Sequence, residues 1–291
     1  MTMTDDVAQR SARDEAADLA RAAADAAGVE IRLLSTVTEF AQVAALFQSI
    51  WSAGGDRMPV NVETLRALSK SGSYVGGAFD GDELVGACFG FFAAPERRAL
   101  HSHIAGVSQR MRGRSVGFAL KVHQRSWAID EQLDEISWTF DPLISRNAYF
   151  NLVKLAATPT AYHRNFYGHM SDALNGDDDT DRMLVTWYVH DPRVAAACRG
   201  ESSRDSDSAP EGEPLLTVGD DQDPVRHPTG ARFVRVSLPR DIESLRLTAP
   251  EHATHWRLAL RDTLGDLLDD GARVLSFDRT GTYTIDRGEL Q

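Results

Sequence analysis

The sequence predicts a mixed α/β fold. Three observations carry this. Strand-like apolar runs alternate with helix-spaced segments from residue 29 to 190. A turn at Asp80-Gly81-Asp82, flanked by two apolar runs, makes part of the sheet antiparallel. A polar stretch from Arg199 to Thr229 then separates a shorter set of C-terminal elements.

The elements follow in order. Residues 1–28 are rich in Ala, Asp and Arg and poor in large apolar side chains, so a loose or helical, flexible extension is expected. VEIRLLS (29–35) reads as the first strand. In 38–52, Phe40, Val43, Ala44, Phe47, Ile50 and Trp51 recur at helical spacing. Asn61 is placed to cap a short helix over 61–71. The hairpin spans 73–93, and LHSHIAGV (100–107) is a further strand. A helix over 115–131 has Val116, Ala119, Leu120, His123 and Trp127 along one face. EISWTFDPL (135–143) is a strand that stops at Pro142. A helix over 146–157 and strands at 160–168 and 182–190 complete this part. Residues 199–229 carry too little apolar material for a core and read as an acidic linker or loop. The last elements, strands at 232–239, 273–279 and 282–287 and a helix around 250–270, are expected to pack on the main domain as an extension over 230–291.

Composition excludes several function classes. The chain of 291 residues has a formal net charge of −12, which disfavours general nucleic-acid binding. No apolar run reaches membrane-spanning length. The N-terminus lacks the basic and apolar regions of a signal peptide, and Cys88 and Cys198 form no metal-binding or redox pair, so a cytoplasmic location is expected. The acidity rests on 29 Asp against 14 Glu, and 28 Arg stand against three Lys. A GC-rich genome with ordinary acidity and adaptation to a salt-rich cytoplasm both account for that skew.

Against this background one segment stands out. From Arg97 to Arg125 there are seven Arg or Lys and no acid, between a strand ending at Val107 and a helix starting near Ser115. Free N–H groups and the dipole at a helix start favour an anion. The alternative is a solvated loop whose arginines pair with distant carboxylates. Neither a Walker A loop nor a dinucleotide fingerprint is present.

Here the residues reach a known family. Arg112-Gly113-Arg114-Ser115-Val116-Gly117 resembles the (Q/R)xxGx(G/A) acyl-CoA motif of the GNAT superfamily of N-acyltransferases, with Ser115 where that family usually has Gly. The order strand–helix–helix–hairpin–strand–motif–helix–strand–helix–strand–strand is also that of the superfamily. The strings WTFDPL and RNAYFN within 138–151 are similar to a subgroup of uncharacterised members. The resemblance implies a mostly antiparallel, twisted sheet with helices on both faces, over 29–198. It implies acetyl-CoA or another acyl-CoA as co-substrate, with a small amine or amino acid as acceptor. A homodimer is allowed, and neither nucleic acid nor membrane is expected as a partner. The pantetheine arm would pair with Ile104, Ala105, Gly106 and Val107, with the Val107 N–H polarising the thioester carbonyl. Backbone amides of Arg112 to Gly117 would hold the pyrophosphate, and Asn147 would support the site. His103 is the first candidate base, with His101 on the same face of the strand and Asp141 as the substitute. The family's usual acid, a Tyr, is replaced by Leu152. Tyr149, Tyr162 and Tyr167 lie nearby, and Tyr167 is taken as the acid. No metal site is expected. A non-catalytic CoA-binding protein on the same fold is the alternative.

Overall fold

The computed structural model describes residues 3–51, 59–168, 178–201 and 210–288. They form two compact units: Met1–Trp138 with Tyr188–Arg199, and Thr139–Trp187 with Gly200–Gln291.

The first unit runs α1 (Met3–Ala27), β1 (Glu30–Leu33), α2 (Val37–Trp51), α3 (Val62–Lys70), β2 (Val75–Asp80), β3 (Glu83–Phe92), β4 (Ala99–Val107), α4 (Val116–Asp130) and the start of β5 (Glu135–Phe140). Its sheet has the order β1-β2-β3-β4-β5. The first three pairings are antiparallel and β4–β5 is parallel. The alternation of β3 explains why helices cover both faces. Phe89 points into a core with Leu34, Phe40, Val43, Phe47 and Leu65, from α2, α3 and the end of β1. Its neighbour Cys88 points the other way and accepts from Gln124 of α4. A capping box starts α2: Glu39 accepts from the Thr36 N–H at 2.9 Å, and Thr36 Oγ1 accepts from the Glu39 N–H at 3.3 Å. Glu39 also pairs with Arg32. Asn61 caps α3 as the sequence predicts, accepting from the Thr64 N–H at 2.8 Å.

The N-terminal extension is an ordered helix. Ala16, Ala20 and Ala27 of α1 are buried, and small side chains let α1 lie closely on α4. Alanine bulk is too slight to register as an apolar stripe in the sequence. Arg125 of α4 donates to the Val189 carbonyl, and the Val189 N–H donates to the Asp134 carbonyl, which ties 188–199 into this unit. That segment ends in α6 (Pro192–Cys198), capped by Asp191 with Pro192 in its first turn.

The second unit holds α5 (Ser145–Tyr149), a π-turn over Phe150–Lys154, and the antiparallel pair β6 (Thr158–His163) and β7 (Arg182–Tyr188). It adds β8 (Glu213–Val218), β9 (Pro224–Arg226), β10 (Phe233–Ser237), α7 (Ile242–Thr248), α8 (Pro250–Leu260), α9 (Asp266–Asp269), β11 (Arg273–Phe277) and β12 (Thr282–Asp286). Those five strands make a sheet of order β11-β12-β10-β8-β9. Two expectations are corrected here. The 199–229 stretch is not a linker throughout: β8 and β9 lie within it, and Leu216 is fully buried. β8 has one buried side chain and β9 none, so neither leaves a strand period in the sequence. The C-terminal part is also more than an extension, because it forms one compact unit with residues 139–187. Residues 202–209 of the expected linker lie outside the described residues.

Candidate active site

The site begins with the pairing of β4. Its parallel register with β5 covers Ala99–Glu135, Leu100–Ile136 and His101–Ser137 and goes no further. β4 itself continues to Val107, still paired to β3 on its other side. Ser108 donates its N–H to the Val85 carbonyl on β3 at 2.8 Å. Peptide groups alternate in direction along a strand, so those of Val107 and Ala105 point away from β3, toward the open side.

A bulge sits where the pairing ends. The register moves from Phe89–Ile104 to Gly90–Ser102, which leaves His103 as the extra residue. Gly90 is required opposite it: a Cβ there would lie 2.6 Å from the His101 carbonyl oxygen. The bulge breaks the period of two, so His103 and Ile104 share a face. His103 lies against Phe89 at 5.5 Å between ring centres, while Ile104 packs on the same core. His101 is 5.9 Å from His103, and Phe91 touches both rings. The sequence places both histidines on one face, and the rings meet there.

Both are held neutral. Burial, then the neighbouring His103 and Lys121, lower the pKa of His101 to about 4. His103 is more exposed, yet burial of its β3 side lowers its pKa as well. Two uncharged imidazoles beside an open strand edge are suited to accept a proton.

The cationic turn follows β4, and its apparent charge resolves sharply. Arg97 pairs with Glu135 and Arg98 with Asp134. Arg110 pairs with Asp80 and Glu83, while Arg125 and Lys121 are buried. Arg112 and Arg114 are exposed and make no ion pair among the described residues. Five of the seven cations are therefore structural, and two face solvent at the start of α4. The N–H groups of Val116, Gly117 and Phe118 have no acceptor within the helix. Gly113 has φ +81, with open space where a Cβ would be. Ser115 has φ 60 and ψ 16, the left-handed region where glycine is at ease. A Cβ on Gly117 would meet only Val107 Cγ2, at 3.7 Å, so its smallness is not demanded by the fold. A shallow concavity of about 580 Å³ opens near the end of β4, lined by Gln42, Leu46, Ser49, Leu84 and Ser108.

Asp141 does not fit the role of substitute base. Arg257 binds it through two hydrogen bonds, of 2.9 and 2.8 Å, and Arg246 through a third of 2.6 Å. Burial would push its pKa up, but Arg257 and then Arg246 hold it well below the usual carboxylate range. A carboxylate so paired is a structural anion. Both arginines lie more than a hundred residues downstream, beyond the reach of any motif. Among the tyrosines, Tyr162 is buried against Asp181 and Tyr149 accepts from Arg279. Tyr167 is exposed, with its hydroxyl 3.1 Å from Thr139 Oγ1 and Arg182 over its ring. Asn147 is half-buried on α5, and Leu152 is buried.

Sequence reasoning missed Lys121. It is 4% exposed, and its ammonium reaches Ser102 Oγ at 2.8 Å, Gln124 Oε1 at 3.2 Å and the Trp138 ring at 3.8 Å. Its position within a helix otherwise read as apolar and basic was the available signal. No group of three or more metal-ligating side chains occurs among the described residues, and no helix among them is long and apolar enough to cross a membrane.

The chain is similar to N-acetyltransferases of known structure. One from Staphylococcus aureus Mu50 is 10% identical, covering 55% of this chain and 98% of its own, with a TM-score of 0.47. The ribosomal-protein-S5-alanine acetyltransferase from Vibrio fischeri is 15% identical, covering 56% of this chain and 94% of its own, at 0.45. A ribosomal-protein-S18-alanine N-acetyltransferase from Escherichia coli is 12% identical, covering 55% and 94%, at 0.44. No protein-family model and no curated protein matches the sequence. The element order from β1 to β7 is the order the motif resemblance implies.

Proposed function

We propose that this protein transfers an acyl group from acyl-CoA to the nitrogen of a small amine or amino acid. The observation that carries the reading is the opening of the β4 edge at the His103 bulge, continuous with a turn that presents Arg112, Arg114 and the N–H groups of α4. An extended pantetheine arm can add to such an edge as a strand does, while the turn holds its phosphates. Ala105 and Val107 offer peptide groups to the arm, and the Val107 N–H is turned so as to polarise the thioester carbonyl. The amine nitrogen attacks that carbonyl carbon and passes a proton to His103, with His101 as its neighbour. The C–S bond breaks, and the thiolate takes a proton from solvent. Acetyl-CoA is the simplest donor, and the acceptor approaches on the histidine face.

Leu152, where the superfamily resemblance places a tyrosine, favours a second reading: a CoA-binding protein without turnover. One experiment separates the two. CoA and acetyl-CoA should raise the melting temperature, and Gly117→Glu, which puts bulk and negative charge at the turn, should abolish that shift in a folded protein. Acyl transfer to an amine panel, followed by mass spectrometry, should fall about 10²–10⁴-fold in His103→Ala while the CoA shift persists. A tight CoA complex that acylates nothing would favour the second reading. Absence of any shift at millimolar ligand would remove both.

A further inference from the structure

Lys121 has no role in the fold's apolar logic, and its surroundings are unusual for a buried cation. Buried lysines are normally paired with a carboxylate. Here Ser102 Oγ, Gln124 Oε1 and the face of Trp138 occupy its three N–H directions. Gln124 in turn donates to Cys88 Sγ at 3.4 Å, which lies 3.6 Å from Ser102 Oγ. The donors are satisfied and the charge is not neutralised. Burial lowers the Lys121 pKa to about 8, which leaves the ammonium largely protonated at neutral pH.

The location matters as much as the charge. Ser102 is the first residue of β4 past the end of its pairing with β5, and Trp138 is the first on β5. Lys121 thus sits where the strands cease to pair, on the α4 face of the sheet. Ser102 stands between His101 and His103, whose rings lie on the opposite face. From β3, Phe89 and Phe91 face the histidines, and neither carries charge. On β5, Ser137 is the register partner of His101, while Glu135, two residues earlier, is ion-paired to Arg97. From α2, the neighbouring core side chains Phe47 and Trp51 are uncharged. On the Lys121 side the titratable groups are Cys88 and the hydrogen-bonded pair Tyr74–His123, with His123 on α4 itself. No carboxylate among these groups offsets the ammonium.

We propose that Lys121 is a positioning residue for the histidine pair: a fixed cation behind β4 that disfavours a second positive charge on the histidine face. The pair then stays available as proton acceptors below neutral pH. The field is pre-set, because three contacts hold the ammonium still. The lowered pKa of His101, to which Lys121 contributes after burial and His103, agrees with this. The catalytic half of the inference rests on the acyl-transfer reading, whereas the electrostatic half does not.

The test uses Lys121→Met and Lys121→Arg in the full chain. Histidine titrations are followed by NMR, with His101→Gln and His103→Gln variants for assignment. Removing the cation should raise the pKa of His101 by up to roughly one unit, and the arginine variant should keep the wild-type value. In acyl transfer the acidic limb of kcat/KM should move up by the same amount. The rate on that limb would drop by up to about tenfold in Lys121→Met, with little change above pH 8. A purely structural lysine would lower activity at every pH and leave the limb in place. Lys121→Gln removes the charge but keeps a hydrogen bond to Ser102, and it serves if the methionine variant does not fold. Unchanged histidine titrations in a folded, charge-free variant would overturn the proposal. Shifted titrations in a protein that neither binds CoA nor transfers acyl groups would uphold it and overturn the acyl-transfer reading alone.

Discussion

Ser115 shows how a single residue can be read twice. In the sequence it departs from a glycine-favouring motif, and in the fold it occupies the left-handed conformation that explains the preference. An L-residue there costs about 1–2 kcal/mol, part of which glycine returns through unfolded-state entropy. Ser115→Gly should therefore be neutral or stabilising by up to about 1 kcal/mol in urea unfolding. Gly113→Ala, at φ +81, should destabilise by about 1–2 kcal/mol. Gly117→Ala should change stability by less than about 0.5 kcal/mol, since its added methyl meets only ordinary contact. Glu39 belongs at this scale too. Although burial pushes its pKa up, hydrogen bonds from Ser35, Arg32 and Thr36 lower it to about 2. A depressed carboxyl adds stability above its unfolded pKa of about 4.3, and that stability is lost as pH falls toward 2. Glu39→Gln should flatten the unfolding midpoint between those values.

At the scale of elements, the bulge on β4 is the device that shapes the site. Gly90→Ala would force the His101 carbonyl aside, and overpacking of this kind costs about 1–3 kcal/mol. The loss should appear in the unfolding midpoint and, on the acyl-transfer reading, in reduced stabilisation by added CoA, because the open edge starts at the same point. Helices α2 to α5, the hairpin and the cationic turn were legible in the sequence because each has a local cause: apolar period, turn chemistry or a cap. The bulge was not, since two histidines at a spacing of two look alike with or without an extra residue. Lys121 was not legible as a buried cation either, because its partners Ser102 and Trp138 come from other elements. Strands β8 and β9 escaped because neither shows a strand period within a polar stretch, and only the pairing of β8 with β10 and of β9 with β8 explains them.

For the whole molecule, the larger part of what sequence alone missed lies in the second unit. Asp141 reads locally as a catalytic carboxylate at a strand end, whereas Arg246 and Arg257 make it an anchor. Asp141→Asn would leave the two buried arginines with Asp178 as the one remaining carboxylate among their described partners. Breaking a buried pair in this way costs about 3–5 kcal/mol. Calorimetry should show the loss, and histidine-face activity, if measured below the new transition, should survive. Stability drawn from Asp141 is present above the ordinary carboxylate pKa of about 4 and falls away in acid, because its folded pKa is depressed. The variant should therefore differ least from the wild type at low pH.

The anchor also sets a clock on the ribosome. Asp141 meets Arg257 only across 116 residues of chain. At about 5–20 residues per second, Asp141 is made roughly 6–23 s before its principal partner. The first unit, whose last residue is Arg199, can close during that wait, while the second must hold residues 139–187 unfinished. Nascent chains arrested near residue 240 should give a protease-resistant first unit and a cleavable 139–187 segment. Chains arrested far enough past residue 286 to release β12 should protect both.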